Sequence, residues 1–505
     1  MYKQIKSHIE LARFASGLRA KVLRGGAWLG TGTVAEQAVR FARNLILVRL
    51  LAPSAFGTMA VVLSTCSVLG SLTDVGVREA LIQNPRGSER RYVESAWWMA
   101  FGRAFATYLS LFIAAPWVAR FYGNPDLSLL LRVALLGLLF EGATSPQAYV
   151  RLKEMKFSKW AVIQNGGGIA GIVITVALSF ILRNVWALVL GFCAESALRC
   201  VLSYVICPFL PVLRWNREAL KDLVSFSRKL FGLSVMHLVF MRADIFVLAK
   251  MFSPTELGLY SMAVFLAQVP AGFLIGLMSQ VLMPTLSEIQ NDKERINRIV
   301  LQASTVIGFL GMPTAVLLLI YGKSLLALVY GHAYATAGLS LAVAGCIALI
   351  SMMNVQLTAM FYASGHPNLH RRCVAVMAVT TLLLVYPLAK WLGLVGGQLA
   401  GFIAIMAGFA LQVERASHVT ELKVKEYGRI LLGSLALSTP VLIMWFLMQL
   451  FLPSSGPAMS IACGVLGCLT AYVIAGRILL SRLAAGGSRS PQKAYLTTTT
   501  EHADA

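Results

Sequence analysis

Charged residues are scarce in this chain. Only 13% of its 505 residues are Asp, Glu, Lys or Arg, against about 25% in a soluble domain. That shortage excludes a fold whose surface faces water all round. Acidic residues are the scarcest, 22 against 44 basic ones, for a net charge of +22. On a soluble protein this excess would suggest nucleic acid. No nucleic-acid partner is expected here, because the basic residues gather in short loops between apolar stretches. The eight cysteines show no metal or disulfide spacing. Cys193, Cys200 and Cys207 share one apolar segment and read as small buried hydrophobes. The histidines are scattered, and Pro367 separates the one close pair, His366 and His370, which argues against a helical zinc site. The chain has no glycine-rich phosphate loop of the ATPase type, no catalytic constellation and no cofactor motif. An ATP-driven pump is thereby disfavoured. Hydrophobicity begins only near Ala27, after a polar, basic stretch, so no cleavable leader is expected.

What the chain has is apolar length. Hydrophobic residues make up 57% of it, and its mean hydropathy is +0.72. Runs of about 20 apolar residues, each long enough to cross a bilayer as a helix, recur at 27–51, 56–82, 96–118, 127–149, 160–182, 186–210, 226–251, 257–283, 298–320, 339–363, 371–389, 392–413, 429–452 and 458–480. The expectation is an all-α polytopic membrane protein of about fourteen spans. Loop charges support that count. Alternate loops hold Arg86, Arg90 and Arg91, then Arg151, Lys153, Lys156 and Lys159, then Arg214, Arg217 and Lys221, and so on to the C-terminus. The remaining loops hold only Arg120, Arg183, Lys323 and Lys390. The basic set, with both termini, is therefore expected on the cytoplasmic side of the inner membrane.

A repeat divides the chain. LVRLLAPSAFGTMAV (47–61) matches LAKMFSPTELGLYSM (248–262), sharing Leu47/Leu248, Arg49/Lys250, Pro53/Pro254 and Gly57/Gly258. Proline and glycine suit the turn that joins two spans. Each copy sits between the first and second spans of a half, so the halves read as parallel six-helix lobes around a central cavity. The expected organisation is a basic N-terminus (1–25), a first lobe (26–210), a second lobe (211–415), two additional helices (416–481) and a disordered cytoplasmic tail (482–505). Pro270, Pro313, Pro387 and Pro440 are expected to kink their helices. Gly393, Gly397 and Gly401, like Gly166, Gly167, Gly168 and Gly171, suit close helix packing.

Charges inside a membrane are costly and mark candidate sites. Glu36, Arg40 and Arg43 lie on one stripe of the first span. At a rise of about 1.5 Å per residue from Pro53, Arg43 lies roughly 15 Å deep, near the middle of a core about 30 Å thick. Arg242 and Asp244 reach a similar depth in the seventh span. Arg103, Glu141, Glu195 and Arg199 are also well inside, and Asp74 and Arg78 lie nearer the cytoplasmic end. Glu195–Arg199 and Asp74–Arg78 are each four apart and either lock helices or serve a site. On the first stripe two arginines outnumber one carboxylate, which points to a hydrated, positive cavity and an anionic cargo, phosphate being the simplest. Arg40, Arg43, Arg103, Arg199 and Arg242 are the candidate substrate contacts. Glu36, Asp74, Glu141 and Asp244 are the candidates for a coupling ion or proton.

RNLILVRLLAPSAFGTMAVVLS, LTDVGVREALIQ (72–83), APWVARFYGNPDLSLLLRVALL (115–136), PQAYVRLKEMKFSKWAV (146–162), NVWALVLG (184–191) and LVFMRADIFVLAKMFSPTELGLYSMA (238–263) together resemble the Wzx-type polysaccharide flippases of the MOP exporter superfamily. The resemblance covers roughly residues 25–480. It implies two six-helix lobes plus two C-terminal helices. It also implies transport of undecaprenyl-pyrophosphate-linked oligosaccharide to the periplasmic leaflet by alternating access, driven by an ion gradient or membrane potential. Membrane lipids, a polysaccharide polymerase and assembly proteins are the implied partners, and no cofactor is implied. Asp74 matches a recurrent aspartate of that family. A multidrug or cation antiporter of the same superfamily is the alternative, disfavoured by the arginine excess. A lipid II flippase would share the scaffold. A membrane enzyme would need a periplasmic catalytic surface, and the longest expected periplasmic loop, 321–338, is short.

Overall fold

The computed structural model describes residues 32, 35–73, 76–212, 216–290, 292–451 and 456–487, and among them every regular element is helical. The protein is a polytopic bundle. Eleven helices are long and apolar enough to cross a membrane, or twelve if the bent pair Asp126–Gly142 and Gln147–Lys153, 53° apart, is one span. The fourteen spans expected from hydropathy are not all among these. The expected first span is described only as α1 (residues 35–50). The expected seventh is the last part of α11 (Arg217–Met251), a 35-residue helix that begins among charged residues. The N-terminal stretch 1–25 lies outside the described residues.

The repeat organises the packing. α2 (Pro53–Thr73) and α12 (Pro254–Glu288) each start at the proline of their copy. A proline costs little there, since the first helical N–H has no partner within the helix. Ser253 caps α12 in a reciprocal box: its hydroxyl accepts from the Glu256 N–H, and the Glu256 carboxylate accepts from the Ser253 N–H at 2.9 Å. The two helices then meet at their glycines. A Cβ built on Gly57 would lie 1.9 Å from the Pro254 carbonyl oxygen, and one on Gly258 would lie 1.8 Å from that of Pro53. Each copy thus supplies the glycine that admits the other copy's backbone. The contact is reciprocal, as an axis relating two equivalent halves requires.

Around that contact lies an apolar core that includes Leu47, Val62 and Leu131 from the first half and Leu248, Tyr260 and Leu341 from the second. A second core belongs to α12, α13 (Lys293–Tyr330), α14 (Gly338–Ala363), α15 (Pro367–Leu392) and α16 (Leu394–Thr420). At the other end of the bundle α11 returns to the first half. There Arg86 pairs with Glu218 at 2.9 Å, and the Tyr92 hydroxyl donates to Asp222 at 2.8 Å. Leu81 and Tyr92 pack with Ala219 and Leu223 beneath these pairs.

α17 (Val424–Ala436), α18 (Thr439–Phe451) and α19 (Pro457–Gly487) form the C-terminal addition and pack on α13. Gly308 makes room for Ser434, and Gly464 for the Tyr321 ring. Three details differ from expectation. Pro440 lies in the first turn of α18 after a break at 437–438, so it starts a helix and does not kink one. α13 continues to Tyr330, and a 3-10 turn His332–Ala337 follows, so most of the expected loop 321–338 is helical. α19 runs to Gly487, into the expected tail.

Replacing Gly57 by alanine should lower the melting temperature of the purified protein, at a cost of about 1–3 kcal/mol, as overpacking does. Replacing Gly102 by alanine should be neutral or mildly stabilising, because nothing lies within 4 Å of its would-be Cβ. Equal melts for the two variants would mean that the halves do not meet as closely as described.

Candidate functional site

Four of the membrane charges form one network. On α1, Arg40 pairs with Glu36 at 2.8 Å, and it also reaches Glu195 at 2.6 Å. Glu195 and Arg199 stand one turn apart on α10 (Val185–Ile206) and pair at 2.8 Å, and Arg199 returns to Glu36 at 3.1 Å. Each arginine therefore holds both carboxylates. No side chain of the four is more than 28% exposed. The two charge signs cancel within the network, which lowers the cost of placing it among apolar helices. Glu195 lies on a different span from Glu36, so the sequence stripe, read alone, overstated the positive excess on α1.

Glycines make the space. α9 (Gly167–Leu182) lies against α10, where a Cβ on Gly171 would come within 2.7 Å of the Glu195 Cα. One on Gly168 would come within 3.0 Å of the Glu36 carboxylate and 3.1 Å of the Arg199 guanidinium. The glycine run therefore serves close packing, as its spacing suggests, and it also leaves room for the charge network.

Arg43 stands apart from these four. It is half-buried, and among the described residues its one hydrogen bond goes to the Asn44 side chain at 3.2 Å. Arg103, on α4 (Arg90–Tyr122), donates to the Gly70 carbonyl at 3.2 Å and to Thr73 at 3.3 Å, at the C-terminal end of α2. Its buried Nε has no partner among the described residues.

A cavity of about 570 Å³ opens beside this network, inside the first half. α2, α4, α10, α3 (Val77–Gln83), α6 (Leu136–Gly142), α7 (Gln147–Lys153) and α8 (Phe157–Ala161) all contribute to its wall. Arg103, Glu141, Glu195 and Arg199 line it, as do Arg78 and Glu79. Arg78, Glu79 and Glu141 are exposed although they lie in a bundle of apolar helices. The Arg78 guanidinium sits 5.1 Å from the Trp160 ring centroid, and the Tyr149 ring lies 5.7 Å from Trp160. Asp74, its expected partner, lies outside the described residues.

The second half holds the other candidates. Asp244 accepts from the Tyr260 hydroxyl at 2.6 Å and from the Ile245 N–H at 2.8 Å. The same Tyr260 hydroxyl meets the side-chain carbonyl of Gln398 on α16. Tyr260 is fully buried. Arg242, two residues earlier on α11, is half-buried. Arg43, Arg242 and Asp244 do not line the first-half cavity. Sequence reasoning missed Trp160, Tyr149, Gln164, Tyr260 and Gln398. The only signal for Tyr260 was its place inside the repeat, and an aromatic or amide in an apolar run carries no signal of its own. No group of residues able to hold a metal ion is found among the described residues.

The family described as polysaccharide biosynthesis protein matches residues 46–338, more than half of the chain. The lipopolysaccharide biosynthesis protein WzxC of Escherichia coli K12 is 23% identical over 398 residues, covering 78% of this chain and 79% of that protein. The succinoglycan biosynthesis transport protein ExoT of Rhizobium meliloti is 24% identical over 285 residues, 56% of this chain and 58% of that one. Among solved structures, the lipid II flippase MurJ in an inward closed conformation superposes with a TM-score of 0.69 at 14% identity, covering 90% of this chain and 99% of that one. An inward-facing multidrug MATE transporter of the MOP superfamily superposes at 0.56 with 15% identity, covering 78% and 99%.

Replacing Glu195 by glutamine leaves two arginines sharing one carboxylate. The variant should lose roughly 1–3 kcal/mol, between the limits for exposed and buried pairs. Adding Arg199→Gln should restore part of that loss, because the surplus cation is removed with it. Melting curves of the two single variants and the double variant measure the coupling. Additive losses would show that the network carries no cooperative energy.

Proposed function

Since the chain belongs to the polysaccharide biosynthesis protein family, we propose that it carries undecaprenyl-pyrophosphate-linked oligosaccharide from the cytoplasmic to the periplasmic leaflet of a bacterial inner membrane, without catalysing a reaction. Family membership over residues 46–338 is the observation that carries this reading. A polytopic bundle with charged groups among its apolar helices fits it. The lipid tail stays in the bilayer while the head group passes through the protein. The two lobes, 26–210 and 211–415, rock about it, with 416–481 as an addition and both termini in the cytoplasm. A polysaccharide polymerase and assembly proteins would receive the product.

In this reading the residues divide by charge balance. Arg40 and Arg199 are neutralised by Glu36 and Glu195 and mainly hold α1 to α10. Among the described residues Arg43 has no carboxylate at ion-pair distance, so it is assigned to the pyrophosphate, whose oxygens a guanidinium grips in pairs. Arg242 is assigned beside it, and Arg103 on the wall of the first-half cavity. Asp244 is assigned to energy coupling. One tyrosine proton faces two acceptors there, the Asp244 carboxylate and the Gln398 carbonyl. A proton arriving on Asp244 would complete the set. Glu141, at the cavity, and Asp74, outside the described residues, are second candidates for that role.

Deletion of the gene should cause complete lipid-linked oligosaccharide to accumulate on the cytoplasmic face, with loss of surface polymer. Mass spectrometry of membrane extracts, scored for sidedness, measures this. Periplasmic accumulation would assign the defect to polymerisation, and normal lipid pools with normal polymer would reject the cargo. In the complemented strain, Arg43→Ala should reduce polymer export at least tenfold at an unchanged protein level. Unchanged export would remove Arg43 from the path. Asp244→Asn should abolish any dependence of transport on an imposed proton gradient in vesicles. A retained dependence would place coupling elsewhere.

A further inference from the structure

The cavity inside the first half has a chemistry of its own. Among the described residues three arginines face it, Arg78, Arg103 and Arg199, and so do three glutamates, Glu79, Glu141 and Glu195. The described part of the wall is therefore electrically balanced. A guanidinium only donates hydrogen bonds, and a carboxylate only accepts them. An anion would satisfy the arginines and be repelled by the glutamates. A cation would meet the reverse. A hydroxyl group both donates and accepts, so a polyol can engage both kinds of residue without bringing a net charge into the pocket.

The rest of the wall fits the same ligand. Trp160 and Tyr149 form an aromatic flank, steadied by the Arg78 guanidinium over the Trp160 ring. A pyranose has an apolar C–H face and a rim of hydroxyls, and an aromatic surface accepts such a face. Gln164, Ser67, Ser71 and Ser196 add neutral groups that donate and accept at the wall. At about 570 Å³ the cavity lies within the usual range for small-molecule sites. The buried Nε of Arg103 has no hydrogen-bond partner among the described residues.

We propose that this cavity is a saccharide subsite that takes uncharged sugar units of the cargo and sets which oligosaccharide is carried, separately from the pyrophosphate contact at Arg43. The proposal rests on the transport reading above and deepens it. Loading is expected from the cytoplasmic side, because the loops that flank α3, α7 and α8 belong to the basic set of the sequence.

The test uses the full-length protein purified in detergent. The probe is the repeat-unit oligosaccharide, free of lipid and phosphate, obtained by partial acid hydrolysis of the producing strain's own surface polysaccharide. Isothermal titration calorimetry should show binding that inorganic pyrophosphate does not compete away. Glu79→Gln and Gln164→Met should each weaken binding at least fivefold, and Trp160→Leu should weaken it further. Glu79 is exposed, so its variant should fold even if the tryptophan variant does not, and melting curves verify each protein. Native affinity in the Glu79 and Gln164 variants would overturn the proposal. So would an absence of oligosaccharide binding, or binding that pyrophosphate displaces. Binding of the organic cation ethidium that is lost in the cavity variants, without sugar binding, would overturn it in favour of a cation site. The lipid accumulation experiment is independent of this one. Cytoplasmic accumulation without sugar binding would reject the subsite and leave the transport reading standing, whereas sugar binding without accumulation would do the opposite.

Discussion

A charge placed among apolar helices must find a countercharge, water or a ligand, because the bilayer core offers it nothing else. Much of the first half follows from that constraint. α1 and α10 each present one arginine and one glutamate at a spacing of four, and the four side chains close into a single network. Had each helix paired only within itself, the carboxylates would have satisfied one partner each. By crossing, each arginine engages two carboxylates, and the two helices are fixed in register. The same constraint separates the remaining charges. Those beside the cavity stay accessible in a balanced set, and Arg43 is left outside both groups.

Glycine is what allows such polar contacts in a crowded bundle. At Gly168 and Gly171 the missing side chain gives α9 a path past the charge network. At Gly57 and Gly258 it brings the two halves into backbone contact. The consequences differ. A substitution at Gly168 would press on flexible charged side chains, which can move. A substitution at Gly57 would press on a carbonyl at the start of another helix, which cannot move without shifting the half that carries it. The repeat is thus both a trace of the halves' equivalence and the place where their relative position is set.

The helical architecture was legible because its signals are long: apolar runs, alternating loop charge and a repeated proline–glycine frame. The helix count was less so. Residues 226–251 belong to a helix that starts at Arg217 among charges, and the run 127–149 bends by 53° between α6 and α7. Hydropathy averages over both features. At the candidate site, the i, i+4 pairing of Glu195 with Arg199 could be read from spacing alone, since it is local. The link from Arg40 to Glu195 joins positions 155 residues apart, and nothing in a single sequence brings them together. The flank of Trp160 and Tyr149 was hidden for another reason. In an apolar chain an aromatic residue is unremarkable until the fold shows which of its faces meets a cavity.

The two ends at which the halves meet differ in kind, and this bears on the order of motion. At the repeat, the contact is backbone against backbone, surrounded by a core drawn from both halves. Separating it exposes apolar surface and two helix starts shaped to fit each other. At the other end, Arg86 and Arg91 reach Glu218 and Asp222 through partly exposed side chains, and the buried Tyr92 donates to Asp222 from a small apolar patch. Exposed ion pairs contribute about 0–1 kcal/mol each, and water replaces them readily. The weaker closure is therefore the one built on α11, on the side to which loop charge assigns the cytoplasm. A carrier that must first admit a head group from that side would be expected to make its cytoplasmic closure the easier one to open. In the proposed transport cycle the tighter contact at the repeat would serve as the pivot until a bound cargo supplies the differential affinity needed to part it.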